Sequence, residues 1–395
     1  MEAYTMFLLT VGVSLILAKI LGGLVEKTGI PGVLGEICVG IILGNLVLFY
    51  PFLSRYFVFT SEAFDFLSKL GIVFLLFLAG IETDIRELKA TGKAATLSTI
   101  GGVITPLIMG YLATKFMGFS DKEAFAIGVM LTATSIGLTV RVMMDLGVLK
   151  TRVGNASLSA SVMDDFIGIA LIIIATGQGD IYMTIIEMVV FILITLVVGW
   201  FVVDRIMGAT RFFATIKGTL AYSIGIMLLF AALAEYMFDA AIEGSFIAGL
   251  IMHKTKEYSV IVNDIRGISY GFVVPLFFVH VGSILDIRVF ARTDVLLLAF
   301  IVTTIAVLGK IVGRGVFARI GGFTWRESFQ MGVGSVPRME VALISAYVAI
   351  NAGVFTPEHV KVVLAVAMVF VTVTTLITPP LLKYSFKKEI ESMKK

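Results

Sequence analysis

Residues 159–174 read SASVMDDFIGIALIII, and the adjacent carboxylates in this otherwise apolar run decide how the chain is read. A charged side chain at the centre of a membrane helix costs about 2.5–3.5 kcal/mol even on the lenient insertion scale. Two together, Asp164 and Asp165, therefore demand a reason. Apolar residues flank the pair on both sides, which places it within a helix and not at its end. Consecutive helical residues point about 100° apart, so the two carboxylates cannot share one ligand on equal terms. One can face a water-filled cavity while the other takes a protein partner. A desolvated carboxylate needs a counter-charge, and a proton or a cation can supply it. That is the chemistry of exchanging one for the other.

The surroundings agree with a membrane setting. Hydrophobic residues make up 58% of the 395 positions and charged residues 15%, against about 25% charged in an ordinary soluble domain. Stretches long enough to cross a hydrocarbon core of about 30 Å fall at 4–25, 31–49, 64–82, 94–117, 123–144, 152–176, 181–203, 218–238, 240–253, 267–285, 293–317, 327–351 and 358–382. The expected fold is an all-α integral membrane protein of about thirteen transmembrane helices, with the lipid bilayer as its solvent and no separate soluble domain. The N-terminus opens on Glu2 in place of a basic region, and its apolar run is followed by many others, so it reads as the first span and not as a signal peptide. Cys38 is the only cysteine and reads as a packing residue. His253, His280 and His359 lie far apart, which argues against structural zinc. No cofactor, no nucleic-acid partner and no enzymatic activity are expected.

Basic residues accumulate in short cytoplasmic loops. Loops after odd-numbered spans, with the C-terminal tail, hold twenty Lys and Arg, Arg314 counted among them, and the other loops hold six. The N-terminus is expected outside and the C-terminus in the cytoplasm of a cell whose plasma membrane holds the protein. An offset of roughly two hundred residues matches GIETDI (80–85) with GSILDI (282–287), and GEICVG (35–40) with GSFIAG (244–249). Six spans on each side of one linker helix then face opposite ways, the inverted repeat of many secondary transporters.

Lys310 lies deep in AFIVTTIAVLGKIVG (299–313), where an aspartate is its obvious partner and snorkelling to the interface beside Arg314 the alternative. Two stretches read as interrupted helices in corresponding places of the halves: LTATSIGLTVR (131–141) and GVGSVPRMEVALI (332–344). Breaks at membrane depth are tolerated where they line a cavity or are covered by protein. Glu340, Arg338 and Arg141 lie in or next to them and suit the partial charges of half-helix ends. Thr132, Thr134 and Ser135 offer hard oxygens to a cation, with helix packing by small residues as the competing reading. Glu36, Glu187, Glu235, Glu243, Lys19 and Lys69 are expected near span ends or in pairs between helices, and His280 as a hydrogen-bonded packing residue, with pH sensing as the competing reading.

Several stretches together resemble the sodium/proton antiporters of the cation/proton antiporter superfamily, in the branch marked by paired aspartates. They are LGEICVGIILG (34–44), LGIVFLLFLAGIE (70–82), TATSIGLTVR (132–141), SVMDDFIGI (161–169), PLFFVHVGSILD (275–286), GKIVGR (309–314) and VPRMEVALI (336–344). The resemblance implies a homodimer whose dimerisation domain is built from 1–93 and 212–290, a core domain from 94–180 and 291–395, and a linker helix over 181–211. It implies elevator-like movement and electrogenic exchange of Na+ for H+. It also implies that Asp165 is the principal ion and proton carrier, Asp164 its companion, Lys310 the basic partner of Asp164, and that Thr132 and Thr134 sit where the two broken helices cross. Met339 departs from the glycine usual after Pro-Arg, and His280 from a small residue.

Potassium/proton exchange on the same fold is the nearest rival. Such systems usually carry a large nucleotide-binding domain, and only residues 383–395 follow the last span here, so sodium is expected and potassium or lithium stays open. A passive cation channel is opposed by the repeat. An intramembrane aspartyl protease needs its two aspartates on different helices.

Overall fold

The computed structural model describes residues 3–393 apart from 84, 178–179, 214–216 and 239. Asp84 of the repeated motif and the side chain of Glu340 thus lie outside the described residues. Regular structure among the described residues is helical throughout. In order the main helices are α1 (Ala3–Lys27), α2 (Val33–Phe49), α3 (Glu62–Glu82), α4 (Ile85–Phe116), α5 (Asp121–Met130), α6 (Ile136–Asp145), α7 (Arg152–Thr176) and α8 (Ile181–Phe213). They continue as α9 (Gly218–Phe238), α10 (Ala241–Met252), α11 (Tyr258–Ile268), α12 (Val274–Ser283), α13 (Thr293–Ile320), α14 (Trp325–Val333), α15 (Glu340–Asn351), α16 (Pro357–Ser385) and α17 (Lys387–Met393).

Among the described residues, eight helices, α1, α3, α7, α9, α13 and α16 with most of α4 and the α11–α12 run, are long and apolar enough to cross a membrane. α2, α10 and parts of α8 and α15 are shorter apolar helices. The stretches at 123–144 and 327–351 each come as two helices separated by non-helical backbone, α5 with α6 and α14 with α15. Their first halves start alike. Ser120 caps α5 in a reciprocal box with Glu123, and Thr324 caps α14 in the same way with Glu327, each box satisfying two otherwise orphaned N–H groups.

The helices sort into two packing groups. α4 packs against α13, α7 and α5, and α13 continues to α14 and α16, with α15 and α6 filling in. On the other side, α2 packs against α12 and α1, α3 against α10 and α12, and α9 against α10, while α8 lies on α9 and α10 and touches α7. Glycines set the closest crossings. Gly40 of α2 faces Gly282 of α12, and Gly80 of α3 faces Gly249 of α10; a Cβ at any of the four would collide with the opposing backbone. These four glycines come from the matched motifs, and exchanging the members of each match turns one crossing into the other. Small residues at such crossings let helices associate by close van der Waals contact, where lipid supplies little hydrophobic drive.

Candidate functional site

The two helix breaks meet. α5 ends before Leu131 and α6 starts at Ile136, while α14 ends at Val333 and α15 starts at Glu340. The Ser135 N–H donates to the Pro337 carbonyl at 2.9 Å, and the Thr139 hydroxyl donates to the Gly334 carbonyl at 2.6 Å. α16 completes the accounting: the Arg338 N–H donates to Thr374 Oγ1 (3.2 Å), and Thr375 Oγ1 donates to the Arg338 carbonyl (2.8 Å). Backbone freed from helix geometry is thereby satisfied by protein, as burial requires.

Arg338 binds the C-terminal ends of both first halves. Its guanidinium donates to the carbonyls of Ser335 (2.8 Å) and Val336 (3.3 Å) after α14, and of Leu131 (2.8 Å) after α5, with a longer bond to Ala306 of α13 (3.4 Å). The side chain is fully buried. One fixed cation thus faces two negative dipole ends, using the planar fork that lysine lacks.

Asp164 lies beside this crossing, 3% exposed. Its Oδ2 accepts from Thr134 Oγ1 at 2.9 Å, from Lys310 Nζ at 3.0 Å, and from Arg314 Nη2. Lys310 and Arg314 are both fully buried. Arg314, counted above among the cytoplasmic loop charges, is therefore a core residue, which changes that tally from 20 to 19 against 6. The spacing held the signal: residues four apart share a helix face, so a face that buries Lys310 buries Arg314 too. Among the described residues, Asp164 Oδ1 has no hydrogen-bond partner.

Asp165 points elsewhere, as the 100° step demands. It is half-buried, and its carboxyl lies within hydrogen-bonding reach of Glu243 in the first turn of α10. The neighbouring Phe166 packs on Phe238 at the end of α9, with ring centroids 5.9 Å apart. Glu243 was expected near a span end or in a pair between helices; that its partner is Asp165 has no local sequence signal, since it depends on two helices far apart in the chain meeting.

Other expected residues divide. Thr132 Oγ1 donates back to the Val129 carbonyl at 2.8 Å, and Ser135 Oγ is buried with no partner among the described residues. Arg141 does not serve the broken ends. It sits toward the far end of α6, pairs with Asp145 (3.0 Å) and Glu36 (3.5 Å), and lies 4.1 Å from the Tyr270 ring centroid. Glu36 also binds Lys19 at 3.1 Å. Met339 is fully buried beside Arg338. His280 Nε2 is 3.2 Å from Asp65, its ring edge-on to Phe64. A cavity of about 390 Å³ opens between the two packing groups, lined by Glu82, Asp145, Lys150, Arg266 and Tyr270.

Comparison with known proteins covers nearly the whole chain. Residues 12–384 match the family model described as sodium/hydrogen exchanger, transmembrane. The Na(+)/H(+)-K(+) antiporter GerN of Bacillus cereus is 33% identical over 393 residues, spanning 98% of each chain. A Na(+)/H(+) antiporter of Enterococcus hirae is 27% identical over 92% of this chain and 94% of its own. In structure, a sodium proton antiporter from Methanocaldococcus jannaschii superposes with a TM-score of 0.66 over 96% of both chains at 18% identity, a likeness of fold.

Proposed function

This chain belongs to the sodium/hydrogen exchanger family, and from that premise we propose that it is a secondary transporter exchanging Na+ for H+ across a membrane, with Asp165 as the carrier of both. The carrying observation is the division of labour between the two aspartates. Asp164 is engaged by two cationic side chains, whereas among the described residues no basic side chain forms an ion pair with Asp165, which stays partly accessible. A half-buried carboxylate without a basic partner attracts a counter-charge, and a proton and a sodium ion compete for that place. The hydroxyls of Thr132, Thr134 and Ser135 stand at the crossing as further cation ligands.

The two packing groups supply a means of moving the site. Arg338 and the threonines of α16 tie the crossing into the group that holds Asp164 and Asp165, and this group is the proposed core that slides as an elevator against the other. The other would form a homodimer; its α1 exposes Leu8, Ile16, Ile20 and Leu24. The symmetric glycine crossings support an inverted repeat within thirteen spans. The 19 to 6 split of basic residues supports a plasma-membrane orientation with the N-terminus outside and the C-terminus inside, which puts the 390 Å³ cavity on the cytoplasmic side. Lys310 beside Asp164 supports electrogenic exchange: sodium binding that loosens this pair frees Lys310 to release a second proton, so net charge moves with each cycle.

The test is Asp165→Asn in proteoliposomes. An amide cannot hold a proton and sodium in alternation, so pH-driven sodium flux should vanish while the protein inserts and folds at normal levels. Wild-type flux in this variant would overturn the assignment. Potassium is a second reading, favoured by the name of the Bacillus cereus relative; uptake with sodium, lithium and potassium in turn separates the two. Accumulation of the cation against its own gradient separates exchange from a channel.

A further inference from the structure

We propose that Glu243 of α10 is a second carboxylate ligand of the transported cation, acting with Asp165 across the boundary between the two packing groups. This rests on the reading of Asp165 as carrier and adds the residue opposite it.

Three observations lead there. First, Asp164 is poorly placed to be the second anionic ligand, because Lys310, Arg314 and the Thr134 hydroxyl all converge on its Oδ2. Its charge is already answered by two cations. Second, Glu243 is 5% exposed, its carboxyl lies within hydrogen-bonding reach of that of Asp165, and among the described residues no Lys, Arg or His pairs with it. Another carboxylate, Glu235, adds to the negative charge around it. A buried carboxyl and a half-buried one this close repel as bare anions, and a proton or a cation between them relieves that repulsion. Third, the corner is built to hold this geometry. Glu235 Oε2 accepts the Ala241 N–H at 3.1 Å, fixing the turn from α9 into α10, and Phe166 docks α7 against Phe238 of that same turn.

Paired carboxylate oxygens suit a small hard cation. Because one comes from each packing group, the pair is complete only when the groups stand as they do here. Sliding one group past the other separates Asp165 from Glu243 and removes a ligand. Occupancy is thereby coupled to movement at the site itself.

The experiment measures sodium/proton exchange in proteoliposomes for wild type, Glu243→Gln and Glu243→Asp under a fixed imposed pH gradient, with sodium-induced thermal stabilisation in detergent as a second readout. Glu243→Gln keeps shape and hydrogen bonding but removes the anion. It should raise the half-saturating sodium concentration tenfold or more and shrink the sodium-induced melting shift, while Glu243→Asp should be intermediate and alter the lithium to sodium preference. If Gln prevents folding, the Asp variant alone decides. Unchanged sodium and lithium constants in the variants that fold, alongside an inactive Asp165→Asn, would overturn the role of Glu243 and leave the carrier reading standing. Full exchange in Asp165→Asn would sink the carrier reading instead.

Discussion

Replacing Lys310 or Arg314 by glutamine, singly and together, tests how the buried charge of Asp164 is compensated. Both cations meet the same oxygen and all three groups are buried, so no solvent discount applies. A hydrogen bond to a charged group contributes about 1.5–3 kcal/mol. Lys310, Arg314 and Arg338 also repel one another, which offsets part of that. Each single change should therefore cost only about 1 kcal/mol, the low end that this offset leaves. With both gone, Asp164 keeps only the Thr134 hydroxyl, and an uncompensated buried charge costs about 3–5 kcal/mol. The double variant should thus exceed the sum of the singles by about 1–3 kcal/mol, the range of coupling for groups in one network. Thermal unfolding in detergent, followed by the loss of monodisperse protein, reads this directly: two mild shifts and one large one. The same samples in proteoliposomes should show weakened voltage dependence for Lys310→Gln, whereas Arg314→Gln retains it. A Lys310→Gln protein as unstable as the double variant, or a strictly additive double, would refute shared compensation.

Arg338→Lys keeps the charge but not the fork that reaches carbonyls on both half-helix ends; losing the charged hydrogen bond at one end should cost about 1.5–3 kcal/mol, read as a lower melting temperature, and wild-type stability would remove Arg338 from this role. Gly282→Ala drives a Cβ into the Ile37 carbonyl and should cost about 1–3 kcal/mol by overpacking, whereas Gly168→Ala, with open space around it, should melt no lower than wild type. Equal stability of these two alanine variants would show that the α2–α12 crossing yields more easily than its geometry implies.

Much of the fold was legible because membrane helices announce themselves by length and hydropathy, and because Pro337 and the Gly-Ser pair before it mark a break that no regular helix tolerates. A pairing of Lys310 with one of the two aspartates was legible too, since a buried ammonium has few partners to choose from; that it is Asp164 was implied by the family resemblance alone. Arg314 was misplaced because an arginine near a helix end is usually drawn to the interface, and only its four-residue spacing from Lys310 spoke against that. Arg141 was misassigned because nearness in sequence to a break says nothing about which way a side chain leaves the helix. For Glu243 a pair between helices was among the expectations, but its partner could not be read: that arises from α7 meeting α10, which no local pattern encodes.

Arg338 leaves a final consequence. A gap in a helix is commonly imagined as its weakest joint, the place where a chain bends. Here one guanidinium ties together the ends of α5 and α14 and reaches α13, while α16 grips the backbone on either side of it. These bonds brace the gap from three helices, so strain applied to either half is passed to the other. A hinge at this gap would have to break those bonds first.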